Sequence, residues 1–207
     1  TTDMAKTQNF QVVAPNPFTL HDFGENATPT LFDIDSDGDA DLFVGTRLGN
    51  IHFSENLGYN GVLNFGPVVL NPFSIPVIGN KTNITFGDLD NDGDADAIAG
   101  EQSGNIFFLE NVGSPTMPLF NSTVVNPFNF IPTDSVSKPA LVDIDNDGDF
   151  DLFCGNYSGQ VVFYENTGTP DSAFFANPVI DPNEFSASHN YSTIAFVDVA
   201  ADGDYDA

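Results

Sequence analysis

The chain has 207 residues, long enough for one domain or two small ones with a real core. Its 30 acidic residues stand against four basic ones (Lys6, Arg47, Lys81 and Lys138), a formal net charge of −26. That balance disfavours nucleic acid and anionic membrane surfaces, because both are bound by neutralising their charge with Lys and Arg.

Disorder is the next expectation for so acidic a chain, but 41% hydrophobic residues, with 21 Phe among them, supply a core. No run approaches the roughly 18 apolar residues of a membrane span. The single Cys154 leaves no internal disulfide framework and no Cys-based zinc site. Residues 1–6 carry no apolar signal region, so any secretory leader is expected to have been removed or to lie outside this sequence.

In chain order the sequence repeats itself. Phe10 and Asn16-Pro17-Phe18 come first, followed by Asp33-Ile34-Asp35-Ser36-Asp37-Gly38-Asp39-Ala40-Asp41. After 55 residues the same features return as Phe65, Asn71-Pro72-Phe73 and Asp88-Leu89-Asp90-Asn91-Asp92-Gly93-Asp94-Ala95-Asp96. A third copy follows as Phe120, Asn126-Pro127-Phe128 and Asp143-Ile144-Asp145-Asn146-Asp147-Gly148-Asp149-Phe150-Asp151. The fourth is looser: Phe175, Asp181-Pro182 and Asp198-Val199-Ala200-Ala201-Asp202-Gly203-Asp204-Tyr205-Asp206.

These four runs hold 19 of the 30 acidic residues, so the charge is localised rather than spread over a solvated surface. Gly45, Gly100 and Gly155 keep the same register, as do Gly49, Gly104 and Gly159. So do Glu55-Asn56, Glu110-Asn111 and Glu165-Asn166. The units are read as 24–78, 79–133 and 134–188, with partial units at 1–23 and 189–207. The chain is therefore expected to be a window on a longer array.

Within a unit the pattern is β. No stretch has convincing helical periodicity, and each unit offers about four short strands separated by turn residues. In the second unit these are Ile84–Asp88, Ala95–Ala99, Asn105–Glu110 and Ser122–Val125. Ile106–Leu109 and its counterparts Ile51–Phe53 and Val161–Tyr164 are apolar on both faces, as strands between two packed sheets are. The fold expected is all-β, with propeller-type blades of four antiparallel strands. A stacked β-solenoid is the competing arrangement, but its coils are usually shorter than this period.

Five Asp at alternate positions in nine residues repel one another severely unless a cation sits among them. A hard cation with oxygen ligands resolves this, and Ca²⁺ accepts six to eight in flexible geometry, whereas Mg²⁺ demands a stricter octahedron. In the first loop Asp33, Asp35 and Asp37 are expected to supply carboxylates, Gly38 the sharp turn, Asp39 a backbone carbonyl, and Asp41 the closing ligand. The same roles fall on Asp88, Asp90, Asp92, Asp94 and Asp96, and on Asp143, Asp145, Asp147, Asp149 and Asp151.

In the fourth loop Ala200 replaces the carboxylate at the third position. Asp198, Asp202, Asp204 and Asp206 are left to form a weaker or empty site. An EF-hand is excluded, since its loop needs a bidentate Glu at position twelve between two helices. Here Val44, Ala99 and Cys154 stand at that position, in expected strands.

The Asp-x-Asp-x-Asp-Gly-Asp-x-Asp loops, the Leu42-Phe43-Val44-Gly45 type of strand after them, and the Gly-Asn-Ile, Glu-Asn and Gly stretch resemble the FG-GAP or VCBS-type repeat. That repeat forms the calcium-loop blades of integrin α-chain propellers and of many secreted microbial proteins. The resemblance implies a β-propeller with Ca²⁺ between the first two strands of each blade. Family propellers commonly close with about seven blades, so fewer than four imply an incomplete, open or intermolecular array.

Function follows from these features as a calcium-stabilised extracellular module for adhesion or structural assembly, without enzymatic activity. Its expected partners are copies of itself, as in a filament, or other extracellular proteins. Low Lys content, the lone Cys and the sequons at Asn26, Asn80, Asn83, Asn121, Asn156 and Asn190 fit a secreted or cell-surface glycoprotein. Glu55, Glu110 and Glu165 are the candidates for a glycoside hydrolase pair, but they recur once per unit and are read as structural. His21, His52 and His189 share no repeat position and form no metal-spaced pair. The alternatives are a glycan-binding propeller using Tyr59, Phe130, Tyr157 and Tyr191, or an accessory domain of a secreted carbohydrate-active enzyme. Phe53, Phe108 and Phe163 are read as core.

Overall fold

A computed structural model describes residues 20, 22–58, 62–169, 171–182 and 190–196. The described residues form twelve strands in three sheets. The first contains β1 (Thr28–Phe32), β2 (Asp41–Gly45), β3 (Ile51–Ser54) and β4 (Val69–Leu70). The second contains β5 (Asn83–Gly87), β6 (Asp96–Gly100), β7 (Ile106–Leu109) and β8 (Val124–Val125). The third contains β9 (Lys138–Val142), β10 (Asp151–Gly155), β11 (Val161–Tyr164) and β12 (Val179–Ile180). Every sheet is an antiparallel meander in chain order, with Thr28 opposite Gly45 and Gly45 opposite Ile51 in the first. The chain is all-β, built of open propeller-like blades, and among the described residues no helix is long and apolar enough to cross a membrane.

The burial of each strand follows its place in the blade. The second strands β2, β6 and β10 are buried throughout. Alternate residues of β6 face different neighbours: Ala97 and Ala99 enter the core shared with the first sheet, Ile98 the core shared with the third. This two-sided burial explains why the middle strands lack polar alternation. Phe43 of β2 packs on Phe86 of β5 with ring centroids 4.5 Å apart. The equivalent contact one blade further on is Ile98 with the Leu141 layer, and then Phe153 with Phe196 at 4.9 Å. The first strands are sheet edges, which is why Pro29 and Pro139 are tolerated within β1 and β9.

The blades are also joined through the main chain. The N–H groups of Lys81 and Thr82 donate to the carbonyls of Arg47 (3.0 Å) and Thr46 (3.2 Å). Val136 and Ser137 do the same to Gln102 and Glu101, both at 3.0 Å, and Tyr191 and Ser192 to Tyr157 (2.8 Å) and Asn156 (3.0 Å). The approach is so close that a Cβ at Gly45, Gly100 or Gly155 would overlap the carbonyl oxygen of Thr82, Ser137 or Ser192. That is the physical reason for the first repeated glycine.

The Asn-Pro-Phe motif, replaced by Asp181-Pro182 in the third, ends each blade. Asn71 takes φ 48° and uses both its main and side chain on β3: its N–H donates to the Ile51 carbonyl, and its Oδ1 accepts the Ile51 N–H at 2.9 Å. Asn126 does the same to Ile106 and Asp181 to Val161, both at 2.9 Å. An Asx side chain is required there because only a short acceptor can complete the ladder from the left-handed region.

Candidate metal centres

The three described acidic runs are the loops from β1 to β2, β5 to β6 and β9 to β10. All three lie at the same end of their blades. Each loop is wound by two left-handed residues, Ser36, Asn91 or Asn146 (φ 58–59°) and then Gly38, Gly93 or Gly148 (φ 93–98°). The glycines face open space, so backbone conformation and not crowding demands them.

Within the loop the carboxylates turn inward onto main-chain donors. Asp33 accepts the N–H groups of Asp37 (3.1 Å) and Gly38 (3.0 Å), and Asp37 accepts that of Asp39 (2.9 Å). Loop three repeats this with Asp143, Asp147, Gly148 and Asp149 at 3.0–3.1 Å. The result is three carboxylate triplets: Asp33 with Asp35 and Asp37, Asp88 with Asp90 and Asp92, and Asp143 with Asp145 and Asp147. In each, one oxygen per residue lies within 4.8 Å of the others.

No Lys or Arg belongs to these triplets. Burial, with repulsion from the neighbouring aspartates, pushes the carboxyls of Asp35 and Asp90 above their ordinary range. Asp94 is raised to about 6 by burial and by Asp92, Asp88 and Asp90. Several oxygens here are buried without a hydrogen-bond partner: Asp41 Oδ2, and Oδ1 of Asp88, Asp94 and Asp149. Orphaned carboxylate oxygens beside like charges carry a large desolvation cost. A divalent cation with oxygen ligands is the group that fits this donor set.

Asp41, Asp96 and Asp151 stand apart from the triplets. Each opens the second strand of its blade, is at most 2% exposed, and accepts at Oδ1 the N–H of Asn56, Asn111 or Asn166 at 2.7–2.8 Å. Burial raises Asp41 and Asp151 to about 6 and Asp96 to about 7. Asp39 is half-buried, while Asp94 and Asp149 are buried. Asp198, Asp202, Asp204 and Asp206 lie outside the described residues.

The Glu-Asn pair divides its labour in a way the sequence concealed. Glu55, Glu110 and Glu165 are exposed, whereas Asn56, Asn111 and Asn166 are buried and organise the loop that follows. Asn111 Oδ1 accepts the N–H groups of Gly113 (3.1 Å) and Leu119 (2.9 Å), and Asn166 Oδ1 those of Gly168 (3.2 Å) and Phe174 (2.9 Å). The turn is closed by the amide and not by the carboxylate beside it.

Other candidates fall as follows. Phe130 is 3% exposed and packs on Tyr164 and Phe175, which overturns its selection as a sugar platform; its repeat partner is the core residue Ile75. Asn156 is also buried, which argues against glycan attachment there in the folded chain. Cys154 is buried in β10, with its thiol pushed up to about 12 by burial, so it is no nucleophile. Tyr157 and Tyr191 are exposed and meet edge to face at 4.7 Å. His52 sits on β3 against Phe23 at 5.4 Å, and His21, Tyr59 and His189 lie outside the described residues.

Successive four-stranded blades with an aspartate loop between their first two strands define a β-propeller-type repeat protein. The chain belongs to the FG-GAP-like repeat family, whose model matches residues 8–99 and 143–207. It is similar in structure to an Agrocybe aegerita lectin described for specific recognition of non-reducing terminal N-acetylglucosamine. That similarity has a TM-score of 0.48 at 19% identity and covers 78% of this chain and 39% of the lectin chain. The chain thus spans well under half the length of that protein. None of the curated proteins matches it.

Proposed function

We propose that this chain is a calcium-stabilised, non-enzymatic binding or assembly module of an extracellular protein. The observation that carries this is the recurrence of one carboxylate triplet at the same place in three successive blades. Ca²⁺ is held by the carboxylates of Asp33, Asp35 and Asp37, the Asp39 carbonyl and Asp41, and by the equivalent residues of loops two and three. The loop around Asp198, Asp202, Asp204 and Asp206 binds more weakly or stays empty. With units taken as 24–78, 79–133 and 134–188, each blade carries one ion, and the ion braces the loop from which β2, β6 or β10 starts. Binding to the folded state alone stabilises by about 2.7 kcal/mol at a hundredfold excess over Kd.

The family's repeats are typical of extracellular proteins, where calcium is abundant. Assembly is supported by the outermost strands: Val69–Leu70, Val124–Val125 and Val179–Ile180 are exposed in every blade. Apolar edge strands on so charged a chain suit strand addition by a second copy or another protein.

Calorimetric titration of metal-free chain with Ca²⁺ tests this. At least three ions per chain are expected, and Asp92→Ala should remove one of them and lower stability far more than Asp202→Ala. Absence of calcium uptake would overturn the proposal. Light scattering with and without calcium decides the assembly role: a single-chain mass in both would contradict it.

A further inference from the structure

At the end of the blades opposite the acidic loops, the residues leading into the first strands converge on one cavity of about 210 Å³. Asn26, Lys81, Val136 and Tyr191 occupy the same repeat position in four successive units and all line it. Thr28 and Lys138, one position pair further on, complete the wall. Two of the four basic residues of a chain with net charge −26 therefore meet in one small space.

Both lysines are half-buried, and neither side chain has an ion-pair or hydrogen-bond partner among the described residues. Burial alone lowers Lys138. Among the described residues, three acids near the blade junctions already have partners. Glu25 pairs with Arg47, and the Glu101 carboxylate accepts the N–H groups of Ser103 and Asn105 and the Asn105 amide. Asp134 accepts the Ser158 hydroxyl. The acidic loops are a full first strand away, roughly 16 Å at about 3.3 Å per residue, beyond the screening length of about 8 Å at physiological salt.

The four equivalent residues also share a left-handed backbone, with φ between 52° and 70°. Asn suits that conformation, while Lys, Val and Tyr strain in it. This position holds four different residues in four units, three of them conformationally costly.

We propose that this cavity is a binding site for a small organic carboxylate. The Lys81 and Lys138 ammonium groups hold the anion, and Val136 and Tyr191 form an apolar wall for its body. The anion supplies a counter-charge that neither ammonium group finds among the described residues.

Calorimetric titration of the calcium-loaded chain with glucuronate, with glucose as the neutral counterpart, tests this site separately from the metal loops. Glucuronate should bind and glucose should not. Lys81→Gln and Lys138→Gln should each weaken binding by about tenfold or more, the usual loss for one charged contact. Lys138→Arg, which keeps the charge, should retain most of it, and the melting temperature of each variant shows that it is folded. No heat with glucuronate, equal binding of glucose, or unchanged affinity in both Gln variants would overturn the proposal.

Discussion

Oδ1 of Asp96 accepts the Asn111 N–H at 2.8 Å, across 15 residues of chain. The last carboxylate of the acidic loop is thereby tied to the turn that leaves β7, and the pairs Asp41–Asn56 and Asp151–Asn166 repeat the bond at 2.7 Å. Asn111 in turn holds Gly113 and Leu119. Asn111→Ala leaves two N–H groups without their acceptor, and a loss of about 2 kcal/mol is expected at roughly one per hydrogen bond. Denaturant unfolding of the variant measures it; a loss of only a few tenths would show that the amide is incidental.

Two glycines of the second blade separate crowding from conformation. A Cβ at Gly100 would overlap the Ser137 carbonyl oxygen and push two blades apart, so Gly100→Ala should cost more than about 3 kcal/mol or prevent folding. Gly93 has open space around it but φ 93°, so Gly93→Ala should cost only about 1–2 kcal/mol. The order of the two unfolding midpoints is the test.

Acidification should stabilise the metal-free chain. Asp41 and Asp151 titrate at about 6 and Asp96 at about 7 in the folded state, against an ordinary 3.8. Between those values the folded state binds protons that the unfolded state does not. Its stability therefore rises as pH falls from about 8 towards 4. With calcium present the sign reverses, because protons displace the ion. Melting curves in chelator and in calcium should converge at acid pH; parallel curves would contradict this.

Relief of backbone strain gives a further expectation. Lys81 holds φ 52° at the repeat position where Asn26 stands in the preceding blade. Lys81→Asn should stabilise by about 1 kcal/mol, since Asn tolerates the left-handed region better. The same variant should lose glucuronate affinity, so that stability and binding move in opposite directions.

The strands were legible because their signals are local. Ile84–Asp88, Ala95–Ala99 and Asn105–Glu110 fall within a residue or two of β5, β6 and β7. Alternating aspartates likewise place the loops. What stayed hidden depends on distant partners. Glu110 drew attention as the charged member of its pair, while Asn111 does the structural work through bonds to residues up to 15 positions away. Phe130 stands out in the sequence as a sugar-binding candidate because its repeat partner Ile75 is aliphatic, so no aromatic recurs at that position; both are core. The cavity of Lys81 and Lys138 left no trace at all, since four unlike residues at one repeat position carry no pattern until the fold brings them to one cavity.

The most direct measurement is the melting temperature of the full chain in millimolar calcium and again after chelation. Three carboxylate triplets braced by ions predict a fall of more than roughly 10 °C, since each kcal/mol lost is worth about 2–4 °C in a chain of this size. Unchanged melting after complete calcium removal would contradict structural calcium binding in these blades.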